Sequence, residues 1–324
     1  MILSEKKWKN ACKILKKILK KRDNMKLPQV EIIISLYNYA EYISECILSV
    51  IKQDYPHILI HVVDDGSSDD SVRIVQDYCR QYANIRLTTK ANGGQLSAFN
   101  AGFIHLDGKS EIVFFLDADD YMREGYIKKA VETFLESQCD MLFCDLFIMQ
   151  DGKISDGDNE VLPYGDLGFS IFDTYFNGSY YGHSTSTIAI TKQMLSRILP
   201  LSLENEWRIR ADDCIIYGAA LVGAKIFHLD FKGIYYRVHS NNNHCGKTFS
   251  SKYEFHRALS VQKLFSILLE RHKISLHYSL FCAEIDSKPS DLLYRYKKMI
   301  RATDFKYFQK WRAYKILRKK LKRI

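Results

Sequence analysis

No run of 18 apolar residues occurs anywhere in this chain of 324 residues, so no conventional bilayer-spanning helix is expected. Eight cysteines, at positions 12, 46, 79, 139, 144, 214, 245 and 282, contain no Cys-x-x-Cys pair. That spacing excludes a zinc ribbon and a dithiol redox motif. Lysines interrupt any apolar core a secretory leader would need. With scattered free thiols, this sets the expectation of a reducing cytoplasm. Internal repeats and low-complexity linkers are absent, and no nucleic-acid module is recognisable.

What is there is a strand that ends abruptly in acid. Ile112 to Leu116 is continuously apolar with β-branched and aromatic bias, and Asp117, Ala118, Asp119 and Asp120 follow at once. The run suits a central strand covered on both faces of an α/β sheet. In such sheets ligands bind beyond the carboxyl ends of the strands. Three carboxylates within four residues repel one another unless a cation joins them. Oxygen ligands suit Mg²⁺ or Mn²⁺, which commonly bridge carboxylates to substrate phosphates. Alone, an Asp-x-Asp could equally be a turn that stops a strand; its neighbours decide.

Two upstream strands also end in polar tips. Val30–Ser35 leads into Leu36, Tyr37 and Asn38, and Ile58–Val63 leads into Asp64, Asp65, Gly66 and Ser67. Helical patterns follow each, with Ser68 and Asp69 as candidate N-caps of the second. A third unit combines Ile85–Thr88, the loop Lys90–Gln95 and a helix over Leu96–His105. Repeated strand, polar loop and helix predict right-handed crossovers and a mostly parallel sheet with all the loops on one edge.

In order, Ser35-Leu36-Tyr37-Asn38, Asp64-Asp65-Gly66-Ser67-Ser68-Asp69, Asn92-Gly93-Gly94-Gln95 through Asn100, and Leu116-Asp117-Ala118-Asp119-Asp120 resemble the nucleotide-sugar half of a family 2 glycosyltransferase. Four motifs in sequence are specific where one would not be. The resemblance covers about residues 29 to 240. It implies a GT-A fold: a Rossmann-like, mostly parallel central sheet with helices on both faces. It also implies an inverting transfer from a nucleotide-diphosphate sugar, a UDP-sugar by expectation, assisted by Mn²⁺ or Mg²⁺. By likeness Asp65 recognises the base, with Ser35, Tyr37 and Asn38 in the same pocket. A Tyr37 ring can stack on a base, and an Asp65 carboxylate can accept from an imide N–H. Asn92, Gly93, Gly94, Gln95 and Asn100 are expected near ribose or sugar, and Asp117 with Ala118 near the donor. The metal ligands are expected to be Asp119, assisted by Asp117 and Asp120, with His239 ending a later strand and Arg237 beside it at the diphosphate. His244 is a lesser candidate. The two glycines, Tyr37 and Asp65 also suit plain turn or packing roles.

Downstream, Asp212-Asp213 resembles the acidic pair that opens a helix in this family and supplies the base. The apolar residues that follow favour Asp213 in that role, with Asp212 as its partner and the register open by one. An acidic pair also stabilises any helix N-terminus. Gln-x-x-Arg-Trp, carried by the family's processive synthases, is missing; addition of one or few sugars is expected. A nucleotidyltransferase of related fold would need basic residues in the first loop, and residues 36 to 41 contain none. A non-catalytic membrane or nucleic-acid adaptor with a vestigial pocket is the other alternative.

Charge is split unevenly. Residues 1 to 28 carry a net +8, residues 288 to 324 a net +12, and the part between a net −11. The acidic body disfavours a nucleic-acid footprint. Trp8, Ala11, Leu15 and Ile18 share a helical face in the first basic segment. Phe305, Phe308, Trp311, Tyr314, Leu317 and Leu321 recur at three or four in the last and are read as a second apolar face. Such helices fit an anionic membrane surface. The expected organisation is therefore a basic N-terminal helix over 1 to 28, a GT-A domain over 29 to 240 and a helical region with a basic tail over 241 to 324. A peripheral position on the inner face of the cell membrane, with a cell-surface glycan or lipid-linked acceptor, completes the expectation.

Overall fold

The computed structural model describes residues 27–157, 162–240 and 249–321. The expected N-terminal helix and His244 fall outside those residues.

A mixed sheet of ten strands organises the chain in the order β3-β2-β1-β4-β9-β6-β10-β5, with β7 on β6 and β8 on β10. Strands β1 (Gln29–Leu36), β2 (Ile58–Asp64), β3 (Ile85–Thr89) and β4 (Ser110–Asp117) run parallel. Strand β9 (Ile188–Thr191) is antiparallel to both β4 and β6 (Met141–Gln150). The long β10 (Ile226–Val238) runs parallel to β6 and pairs with the short β5 (Tyr121–Met122) and β8 (Gly165–Gly168). After β6 the chain turns back as the edge strand β7 (Lys153–Asp156).

The apolar run of β4 is continuous because both faces are covered. Ile112, Phe114 and Leu116 pack with α1 (Ile43–Ile51), α2 (Ser71–Gln81) and α4 (Tyr126–Ser137). Val113 and Phe115 pack on the other face with α3 (Gln95–Ile104), α6 (Lys192–Ile198), α7 (Asp212–Leu221) and α8 (Ser251–Arg271). Alternate residues of one strand thus serve two cores. Helix α2 starts one residue later than Ser68 and Asp69 suggested, with Asp70 as N-cap. Asp69 instead accepts from Ala40 N at 3.0 Å and Ser71 N at 3.0 Å, joining two loops of the site edge.

A third core joins α5 (Ile171–Asn177) to α9 (Tyr278–Ser287), α10 (Tyr294–Ala302) and α11 (Tyr307–Leu321). Glu284, buried here, accepts from Phe172 N at 2.8 Å, Asp173 N at 3.1 Å and the Tyr296 hydroxyl at 2.6 Å. Lys288 donates to Leu167 O at 2.9 Å and Ser170 Oγ at 2.6 Å. A buried charge persists only where its lone pairs or protons are taken up, so this network fixes the C-terminal helices to the sheet body.

Far from the acidic edge, a polar cluster crosses β1 to β3. Glu31 accepts from Arg86, from Ser110 Oγ at 2.7 Å and from Asp107 N at 3.0 Å. His61 is fully buried, with Nε2 2.9 Å from Thr88 Oγ1 and Nδ1 3.3 Å from Arg86 Nη2. These partners fit a neutral ring whose Nε2–H donates. Burial, then the Arg86 cation, push its pKa down to about 3. The unfolded chain therefore binds a proton here between its ordinary value and that lowered one, while the fold refuses it, and stability falls as pH falls through that window. Chemical denaturation at pH 7 and pH 5 should show wild type losing about 2 kcal/mol more than His61→Gln. Parallel losses in the two proteins would contradict the assignment.

Candidate active site

Parallel strands bring their carboxyl ends to one edge, and register sets which ends meet. Ser35 of β1 pairs with Asp117 of β4, and Leu36 with Asp64 of β2. Asp117 Oδ1 accepts from Ser35 Oγ at 2.9 Å and from Gln95 Nε2 at 2.9 Å. Burial, with the Asp119 charge, raises Asp117 to about 7. Ala118 is buried with its N–H on Ser35 O at 3.2 Å. Asp119 Oδ2 lies 3.0 Å from His239 Nε2, and the His239 ring stands 4.8 Å from Tyr42 and 5.7 Å from Tyr39 between centroids.

The acidic run divides rather than converging. Asp120, expected among the metal ligands, accepts from Ser186 Oγ at 2.5 Å and Arg237 N at 3.0 Å. Burial and the neighbouring Asp119 and Asp117 charges hold its pKa well above the carboxylate range. Its position anchors β10 to the acidic turn. Arg237 does the same from the other side: its Nε donates to Asp119 O at 2.9 Å, and its guanidinium meets Glu45 and lies 4.9 Å from the Tyr42 ring centroid. Among the described residues no three metal-ligating side chains form a ready-made cluster. The Asp119–His239 pair still fits a Mn²⁺ or Mg²⁺ ion. One carboxylate and one imidazole leave most of the shell to substrate phosphate and water, as such ions prefer.

Asp65 is turned inward to build the neighbouring loop. It accepts from Lys90 Nζ at 2.6 Å, Gly93 N at 2.9 Å and Gly94 N at 2.7 Å, while its carbonyl accepts from Asn92 Nδ2 at 2.9 Å. Gly94 needs to be glycine: its φ is +88°, and a Cβ there would lie 2.4 Å from Arg208 Cα. Tyr37, at the tip of β1, is 48% exposed. Asn38 ties the first loop to the second, its N–H on Ser67 Oγ at 2.8 Å and its Oδ1 accepting from Ser68 N at 2.8 Å. Asn100 faces away from the site, donating to Leu201 O at 2.8 Å and Glu204 Oε1 at 2.7 Å. The glycine-loop likeness had placed it near the sugar; one further turn of α3 carries it into the core instead.

Gln95 is the hub. Besides Asp117, its Nε2 reaches Thr185 Oγ1 at 3.2 Å, and its Oε1 accepts from Ala211 N at 2.9 Å. Ala211 is the N-cap of α7, so one amide joins the acidic strand end, the 185–187 turn and the helix that opens with Asp212 and Asp213. The two acids have different surroundings. Asp213 is fully buried, accepting from Arg257 Nε at 3.0 Å and Nη2 at 2.8 Å, with Arg210 Nη2 at 3.4 Å. Asp212, half-buried, accepts from Tyr180 Oη at 3.3 Å. Burial, then the Asp213 and Asp117 charges, raise it to about 7, with Arg210 opposing. Asp212 is thus the carboxylate of the pair that is electrostatically coupled to Asp117. Tyr180, Lys90 and Arg257 were not anticipated from the sequence. Lys90 follows β3 beside the other strand ends and could have been found by that position, whereas Arg257 lies mid-helix with no local signal.

The sequence model described as Glycosyl transferase family 2 matches residues 31–193. An uncharacterized glycosyltransferase of Nostoc sp., alr2836, is 36% identical over 226 residues, covering 67% of this chain and 66% of its own. Poly(ribitol-phosphate) β-N-acetylglucosaminyltransferase TarS of Staphylococcus aureus is 26% identical over 75% of this chain and 42% of its own. This chain therefore spans just under two thirds and under half of these relatives. The crystal structure of TarS residues 1–349 with UDP-GlcNAc superposes with a TM-score of 0.56 at 19% identity, over 82% of this chain and 83% of that one. Mannosyltransferase PcManGT of Pyrobaculum calidifontis, with GDP-Man and Mn²⁺, gives 0.51 at 17%, over 76% and 65%. Both likenesses establish the fold.

Gly94→Ala should weaken UDP binding about tenfold or more in a calorimetric titration, because the strained φ and the Arg208 clash displace the loop. A lowered but still cooperative melt should accompany it, because the clash is with backbone. Unchanged affinity would remove the loop from the donor seat.

Proposed function

Because the chain belongs to glycosyl transferase family 2, we propose that it transfers a sugar with inversion from a nucleotide-diphosphate donor, a UDP-sugar, to a hydroxyl of a cell-surface glycan or lipid-linked acceptor. The observation that carries this reading is the Gln95 amide, which holds Asp117 and the N-terminus of the Asp212 helix in one frame. A single displacement needs that frame, with the donor gripped on one side and a base facing it on the other.

The acceptor O–H attacks the anomeric carbon as the bond from that carbon to the phosphate oxygen breaks. Its proton passes to Asp212, whose raised pKa suits a base at neutral pH. Tyr180 orients that carboxylate. Asp213, locked by Arg257 and Arg210, fixes the helix and adds the negative charge that helps raise Asp212. On the donor side Tyr37 stacks on the base, and Asp65 shapes the Gly93–Gly94 loop around it. Each Asp65 oxygen can accept two hydrogen bonds, and Oδ2 takes one from Gly94, which supports a further imide N–H contact and so uracil. Asp119 and His239 would hold a divalent ion, which when bound supplies positive charge to the departing diphosphate. Asp117 positions the acidic turn through Ser35 and Gln95.

Residues 29 to 240 form the catalytic domain in this reading, and 241 to 324 a helical region fastened to it through the third core. Among the described residues no helix is long and apolar enough to cross a membrane. We place the enzyme in the cytoplasm, peripheral on the membrane face where a lipid-linked acceptor would be met.

Asp212→Asn should lower kcat about 10²–10⁴-fold with donor KM nearly unchanged. Asp213→Asn should instead lower the melting temperature, because two arginines lose their buried counterion. A larger kcat loss from Asp213→Asn at unchanged stability would restore the other register. Asp119→Asn should nearly abolish transfer, and excess chelator should do so reversibly; full activity in chelator would reject the ion.

A further inference from the structure

The sequence reading put Phe305, Phe308, Trp311, Tyr314, Leu317 and Leu321 on one helical face, but a step of three residues falls about 60° short of a full turn. Over successive steps the stripe winds round the helix. The structure divides it accordingly. Ala313 and Leu317 of α11 are buried in the third core, with Phe305 and Tyr314 packed against it. Lys320 Nζ adds contacts to Ile285 O at 2.9 Å and Lys288 O at 2.7 Å. Phe308 and Trp311 point the other way, 62% and 52% exposed.

That outward face has a composition of its own. The Phe308 and Trp311 rings stack at 6.0 Å with planes 21° apart. Arg312 lies 5.8 Å from the Phe308 ring centroid and Lys315 5.4 Å from that of Trp311. Arg318 and Lys319 continue the exposed strip. Helix α10 alongside exposes Lys297, Lys298 and Arg301, and between residues 297 and 321 Asp304 is the only acid. Large exposed rings beside a field of one sign call for a partner that is apolar just beneath an anionic surface. A single-stranded nucleic acid could answer the cations and stack on the rings, but the chain carries no recognisable nucleic-acid module and its acidic body would repel phosphate. A folded protein would need an acidic apolar patch of matching shape.

We propose that the outward face of α11 is a seat for an anionic lipid bilayer, with Phe308 and Trp311 entering the headgroup layer and Arg312, Lys315, Arg318 and Lys319 meeting lipid headgroups. The inference rests on the peripheral placement proposed above and names the surface responsible. Because Ala313 and Leu317 anchor the helix, it is displayed rigidly on the catalytic body. Deleting residues 306 to 324 would damage that body, so point substitutions on the exposed face are the proper test.

The full chain is floated with vesicles of phosphatidylcholine alone or mixed with phosphatidylglycerol, at low and high salt, beside Phe308→Ser/Trp311→Ser and Arg312→Glu/Lys315→Glu double variants. Wild type should float only with the anionic vesicles and lose binding at high salt. Each double variant should bind about tenfold or more weakly, while UDP affinity and melting temperature stay at wild-type values. Undiminished binding by both variants, equal binding to neutral vesicles, or retention of single-stranded or duplex DNA in place of vesicles would each overturn the proposal. UDP affinity is read separately, so failure of the seat and failure of the glycosyltransferase reading give different results.

Discussion

Like-charge repulsion at one sheet edge governs this structure. Asp65, Asp117, Asp119 and Asp120 follow the ends of two parallel strands, and Asp212 faces them from a helix. Carboxylates so placed repel one another unless partners intervene, and each here has a different set. Asp65 is taken by Lys90 and two loop amides, Asp117 by Ser35 and Gln95, Asp119 by His239, Asp120 by Ser186 and Arg237 N. The partners come from every segment that lines the edge. Settling the acids therefore also assembles the site.

The sheet supplies the rigidity this requires. Strands β1 and β4 are buried on both faces, so their ends cannot shift without disturbing two cores. On the far side of the site, α7 is held from below by the same core and at its N-terminus by Gln95. A short polar contact can set Asp212 only because both elements it joins are packed. The third core extends the same logic outward. Its buried Glu284 and Lys288 tie the basic helices to the body, leaving one face of α11 to solvent.

Much of this was legible in the sequence where the signal is local. The strands of the first half and their polar ends follow from apolar runs that stop at acids and glycines, and Ser35 and Asp117 lie together because parallel register pairs them. What escaped were features fixed by distant packing. Asp212 and Asp213 are adjacent in sequence but point about 100° apart on a helix, and the buried one is met by Arg257, in a helix 44 residues on, as well as by Arg210. Asn100 sits near the glycine loop in sequence, yet its Leu201 and Glu204 partners turn it inward. The aromatic tail misled for a geometric reason, since spacing by three does not hold one face.

The central proposal is that Asp212 serves as the base of a single displacement. The anomeric configuration of the first product tests it most directly. With a donor linked through an α bond, proton NMR during slow transfer, to acceptor or to water, should show the β anomer first. An α product appearing first would contradict the account, because a single displacement assisted by a base behind the anomeric carbon inverts the configuration there.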